Sequence, residues 1–275
     1  MNPHAALSTS PTFLMQTIWR NRYLIYQMSK REIIGRYKGS AIGLLWSFIT
    51  PMMMLAVYTF VFSVVFKARW SGGTDSKTEF ALVLFAGLII FNLFAESVSR
   101  APSLIVSNVN YVKKIIFPLE ILPVIAMMSA LFNLLISMVV WLLFYLIFYG
   151  LPSAHILLLP LIILPFMLMT LGVCWFLASL GVFFRDIAQF IGIAINILMY
   201  LSPIFYPVTA LPEQLRQFML LSPLSSVIEQ ARNVMIWHHG LDWLAWGEYF
   251  ILSAAIAILG FAWFQKTRKG FADVL

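Results

Sequence analysis

The residues able to do chemistry are few and scattered. His238 and His239 are neighbours in sequence, so their rings leave a helix on different faces and cannot share one metal ion. Cys174 stands alone inside Leu171-Gly-Val-Cys-Trp-Phe, which excludes an internal disulfide, a cysteine-rich metal site and a CxxC redox pair. Glu96, Glu120 and Asp186 occur singly, with no D-x-x-D cluster for metal or acid–base work. Gly39-Ser-Ala-Ile-Gly43 is followed by Leu44 rather than Lys, so it is not a phosphate-binding loop, and the chain cannot hydrolyse ATP by that chemistry. What the sequence does concentrate is bases near the N-terminus and aromatic rings within apolar runs.

The elements that position these residues must lie in a membrane. Charged residues are 11% of the 275 and hydrophobic ones 61%, against about 25% charged in a soluble domain. Eleven acids and eighteen bases cannot cover the surface of a soluble protein this size. Apolar segments of about 20 residues suit membrane helices. We place six spans at about 42–66, 80–99, 121–148, 156–184, 187–206 and 244–264. Runs such as Leu157-Leu-Leu-Pro-Leu-Ile-Ile-Leu do not alternate, which argues against a β-barrel. The fold class is therefore an all-α integral membrane protein. Residues 1–40 form an N-terminal tail and interface helix, 41–265 the transmembrane domain and 266–275 a second tail.

Six spans put both termini on one side. One face carries thirteen Lys and Arg, the other five, which places both termini in the cytoplasm. The net charge of +7 is thus read as topology, not as a nucleic-acid footprint. No ionisable residue falls at the centre of a span, which counts against a proton-coupled carrier.

Three connections carry signals. Residues 19–38 mix bases with Tyr23, Leu24, Ile25 and Met28, as expected of an amphipathic helix lying on anionic headgroups. Residues 100–118 are cytoplasmic and bounded by prolines; a short helix there would align Val109, Val112, Ile115 and Ile116. Residues 207–242, on the outer side, hold two helix starts at Pro212-Glu213 and Ser222-Pro223. Ser226 and Glu229 have capping-box spacing. We expect a re-entrant helical hairpin before the last span.

Three blocks resemble the permeases of ABC-2 type polysaccharide exporters, the family that exports O-antigen, capsule and teichoic acid. The first is Arg31-Glu-Ile-Ile-Gly-Arg-Tyr-Lys-Gly-Ser-Ala-Ile-Gly-Leu-Leu-Trp46 with Pro51. The second is Asn108-Val-Asn-Tyr-Val-Lys-Lys-Ile-Ile-Phe-Pro-Leu-Glu-Ile-Leu-Pro123, which looks like the family's coupling segment. The third joins Phe184-Arg-Asp186, Ser202-Pro-Ile-Phe-Tyr-Pro207, Ser222-Pro223 and Glu229-x-x-Arg232. Ser222 departs from the Asn found in many relatives, but Ser also caps a helix.

The resemblance implies a homodimer in the bacterial inner membrane, in contact with membrane lipid, with two copies of a separate cytoplasmic ATPase that binds ATP and Mg. It implies an undecaprenyl-diphosphate-linked polysaccharide as substrate and a channel lined by spans one and five. In this sequence those spans carry Trp46, Tyr58, Phe62 and Phe66, and Tyr200, Phe205 and Tyr206. Aromatic faces stack on sugar C–H faces and let a polymer slide. Arg31, Arg36 and Lys38 lie where a diphosphate would arrive from the cytoplasmic leaflet. Asn110, Tyr111, Val112, Lys113, Lys114, Ile116 and Phe117 are the expected ATPase-coupling residues. No catalytic or metal site is expected. The rival readings are an ABC-2 permease for a drug or other small molecule, which would share the topology, and a membrane transferase, which would need paired acids.

Overall fold

The computed structural model describes residues 8–65, 70, 77–113 and 117–275. All regular structure among them is helical. The N-terminal segment forms two helices. Helix α1 (Pro11–Arg20) starts at Ser10, whose hydroxyl accepts from the Phe13 N–H at 3.2 Å. It ends at Asn21, whose side-chain amide donates to the Thr17 carbonyl at 2.8 Å. Helix α2 (Arg22–Arg36) then packs against α6. The interface segment expected at 19–38 is therefore broken at Asn21.

A 3₁₀ turn at Gly43–Leu45 leads into α3 (Trp46–Tyr58). The helix then widens into a π-helical stretch, Thr59–Val65. Such widened turns are rare and recur at functional sites. Helix α4 (Lys77–Arg100) sits at the centre, against α3, α6, α7, α8 and α10, and is apolar all round in its first half. From Phe80 to Phe91 its hydrophobic residues are at most 3% exposed. A helix without a polar face belongs inside a bundle.

The short α5 (Val109–Lys113) lies in the second connection, where a helix was expected. Helices α6 (Leu122–Tyr149) and α7 (Leu159–Phe183) match the third and fourth expected spans to within three residues. Helix α8 (Ile187–Leu201) is 15 residues long. At about 1.5 Å per residue it reaches about 22 Å, short of the roughly 30 Å hydrocarbon core. It stops because Ser202 precedes Pro203 and is extended (φ −81°, ψ 152°). The span expected at 187–206 thus breaks five residues early. Helices α9 (Glu213–Leu221) and α10 (Pro223–Met235) form a pair before the last long helix. Ser222 caps α10 with Pro223 at its first position. The Ser226–Glu229 capping box does not form, because both residues lie inside α10 and Glu229 pairs with Arg232 instead. Helix α11 (Trp243–Thr267) and a terminal turn, α12 (Phe271–Val274), complete the chain.

Among the described residues, five helical segments are long and apolar enough to cross a membrane: Gly43–Phe62, Thr78–Ser103, Leu119–Tyr149, Ala154–Phe183 and Trp243–Val274. In lipid, helices associate by close backbone approach rather than by hydrophobic drive. Helices α7 and α11 do this at a glycine pair. A Cβ on Gly260 would lie 2.0 Å from the Gly172 carbonyl oxygen, and one on Gly172 2.5 Å from that of Ile256.

Candidate functional site

The expected channel aromatics divide into a cluster and outliers. The π-helical end of α3 carries Phe62, and the bend after α8 carries Phe205. Their rings stack with centroids 5.5 Å apart. Tyr58 lies 6.5 Å from Phe205 and 6.4 Å from Phe62, and Tyr200 lies 5.7 Å from Phe205. The series continues through Phe80 of α4, 5.9 Å from Phe62, to Trp70, 5.7 Å from Phe80. Rings expected on two separate spans are thus one contiguous group. Tyr206 instead closes the free end of α8, its hydroxyl donating to the carbonyls of Tyr200 and Leu201 at 3.0 and 3.2 Å. Trp46 is at the opposite end of α3, where its indole N–H donates to Ser40 Oγ at 3.0 Å. Phe66 lies outside the described residues.

Behind the cluster sits Arg232, which is 0% exposed. Its Nε donates to the Val83 carbonyl at 3.1 Å, and its Nη1 to the Pro203 carbonyl and to Glu229 at 2.8 Å. Its Nη2 donates to the Ile204 carbonyl at 2.9 Å. The guanidinium also lies over the Trp70 ring, 4.5 Å from its centroid. One side chain of α10 thus holds α4 and the bend after α8 together. Sequence reasoning counts Arg232 among the outer-face bases. The i, i+3 spacing of Glu229 and Arg232 signalled a pair, but not its burial.

At the other end of the bundle, ion pairs tie α2 to α4. Arg36 pairs with Glu96 and, at 3.5 Å, with Glu32; Arg100 pairs with Glu32. Asn133 of α6 donates to Glu96 at 2.8 Å. Of the bases expected to meet a diphosphate, Arg36 is therefore engaged by two carboxylates. Arg31 is exposed and lines a cavity of about 370 Å³ beside Arg100, Asn108 and Tyr111. Lys38 is exposed on the turn after α2.

The expected coupling segment is braced at its base. The Tyr111 and Phe117 rings stack at 4.5 Å and 13°, which ties the end of α5 to the start of the next segment. Arg268 Nη2 donates to the Phe117 carbonyl at 2.9 Å, and Nη1 to Glu120 at 2.5 Å. The Trp175 indole donates to the Glu120 carbonyl at 2.9 Å. Helix α12 packs on α5 and α7, with Phe271 fully buried between Phe183 and Phe264. Asn110 is exposed and Val112 half-buried, while Lys113 ends α5. Lys114 and Ile116 lie outside the described residues. Sequence reasoning missed Arg268, because nothing in residues 266–275 marks them as a brace for position 117.

The family model for the ABC-2 type transporter matches residues 23–236. The chain is 26% identical to the O-antigen export system permease protein RfbA of Myxococcus xanthus, over 94% of this chain and 98% of that one. It is 26% identical to a protein of the same name from Klebsiella pneumoniae, over 92% and 95%. It is 22% identical to the polysialic acid transport protein KpsM of Escherichia coli, over 75% and 78%.

Proposed function

This chain belongs to the ABC-2 type transporter family, and from that membership we propose that it is the permease of an ATP-driven exporter of a lipid-linked polysaccharide such as O-antigen. The observation that carries the substrate class is the ring cluster of Tyr58, Phe62, Tyr200 and Phe205. In this reading two copies of the chain form the conduit, and each contributes its cluster. The names of its relatives support a glycan cargo.

The chain crosses the inner membrane six times with both termini cytoplasmic. Helix α8 and the bend at Ser202–Tyr206 together make the fifth crossing, and α9 and α10 dip in from the outer side. Separate ATPase subunits bind ATP and Mg and dock on the coupling segment. Their movement passes through the Tyr111–Phe117 base into α6 and, by way of Arg268, into α11. The diphosphate meets Arg31 and Lys38 at the cytoplasmic face. Aromatic rings hold sugars by their C–H faces without fixing a register, so the polymer can slide. At rest the rings close on one another and limit ion leakage.

The test is complementation. A strain lacking this chain should lose surface polysaccharide, and the wild-type gene should restore it. A Phe62→Ala/Phe205→Ala variant at wild-type membrane level should restore less than a tenth and should raise resting ion leak. Full restoration by that variant would refute the aromatic conduit.

A further inference from the structure

A groove of about 410 Å³ runs between α3, α4 and α6. It spans Ser47 to Tyr58 on α3 and Phe85 to Glu96 on α4. Each stretch covers about 16 Å of helix at about 1.5 Å per residue. Its inner end meets the Glu96–Arg36 pair, and its outer end reaches Tyr58, the first ring of the aromatic cluster.

The wall of this groove sets polar side chains among apolar ones such as Met54, Leu88 and Leu134. Asn92 is exposed although its neighbours Phe91 and Leu93 are 2% and 1% exposed. Thr50 faces it from α3, and Ser137 from α6. None of the three makes a side-chain hydrogen bond among the described residues. In a hydrocarbon surrounding, unpaired amides and hydroxyls are costly, so they collect where they line a water-filled path or meet a polar ligand. No Lys or Arg lines the groove among the described residues, and its one acid, Glu96, is already paired with Arg36. Apolar contact interspersed with uncharged hydrogen-bonding groups suits neither a diphosphate, which needs cations, nor an alkyl tail, which leaves the polar groups unpaired. It matches uncharged hydroxyl groups.

We propose that this groove binds the sugar chain itself, with Asn92, Thr50 and Ser137 exchanging hydrogen bonds with successive hydroxyls below the aromatic cluster. The assignment rests on the exporter reading above. Short-lived hydrogen bonds to amides and hydroxyls hand the polymer toward Tyr58, where ring stacking takes over.

The test replaces all three residues by apolar counterparts, Thr50→Val, Asn92→Leu and Ser137→Ala. Removing unpaired polar groups should leave membrane level and thermal stability equal or higher, while surface polysaccharide falls at least tenfold. A second arm places Asn92→Cys in a Cys174→Ala background and labels membranes with a charged, water-soluble thiol reagent. Labelling should be at least tenfold faster than at Leu135→Cys, an exposed apolar position on α6. Equal, slow labelling at both would show a lipid-filled groove and overturn the assignment. Conversion of the triple variant to monomers would overturn it too, by making the groove a contact between copies. A strain lacking the chain that keeps its surface polysaccharide refutes the exporter reading. If that strain is defective and the triple variant restores it fully, the groove assignment alone falls.

Discussion

A Cβ placed on Gly87 of α4 would lie 2.6 Å from Arg232 Nη2. The missing side chain of one residue is the seat of the other. In a helix interior, Gly→Ala ordinarily stabilises by about 1 kcal/mol. Here the added methyl pushes against a buried guanidinium that four polar partners hold in place. Disrupting a buried charge network costs about 3–5 kcal/mol, so the sign should reverse. We expect Gly87→Ala to lower the melting temperature in detergent, whereas Gly247→Ala, with open space around it on α11, should not. Equal melting temperatures for the two variants would contradict the seat.

The Arg36–Glu96 and Arg100–Glu32 pairs make opposing forecasts possible for Arg36. As an alignment device for α2, Arg36 should tolerate a swap. Glu96→Arg alone should cut export several-fold, and Arg36→Glu/Glu96→Arg should regain most of it. As a diphosphate contact, Arg36 should not be rescued, because the swap removes the cation from α2. Export assays on the single and double variants separate the two roles.

Coupling should fail at the braced positions of the segment before it fails at an exposed one. Tyr111→Ala removes the stack with Phe117, which is worth about 1 kcal/mol. Val112→Asp puts a charge on the half-buried face. Both should leave the permease in the membrane but cut permease-dependent ATPase stimulation at least fivefold. Asn110→Ala, at an exposed position, should be milder. Unchanged stimulation in Val112→Asp would exclude this segment as the docking site.

Reporter fusions provide the topology check. Fusions after residue 10 and after residue 269 should both report cytoplasm, as thirteen bases against five demand. A fusion at residue 240, between α10 and α11, should report the outer side. A cytoplasmic signal there would leave an even number of crossings before it and overturn the six-span count.

The long apolar runs were legible because lipid makes length and hydropathy decisive: α6 and α7 fall within three residues of where the sequence puts them. Ser222-Pro223 was legible because capping is local chemistry. Three features were not. The end of α8 at Leu201 depends on Ser202-Pro203, which sits in a run apolar enough to look continuous. The π-helical stretch Thr59–Val65 leaves no mark in hydropathy. Arg232 looked like a surface charge because its acceptors, the Val83, Pro203 and Ile204 carbonyls, are backbone atoms brought together only by the fold. The ring residues were named individually from the sequence, but their union across α3, α4 and α8 is tertiary.

The Arg268–Phe117 hydrogen bond also sets an order of assembly. Its partners are 151 residues apart. At roughly 5–20 residues per second, synthesis separates them by about 8–30 s. During that interval α5 is without its brace, while α6 and α7 are made. The Phe117 carbonyl therefore gains its Arg268 partner only after α11 has been made. A chain truncated before Arg268 lacks both this bond and the Glu120 pair, and under the exporter reading it should hold its ATPase more weakly than the full chain.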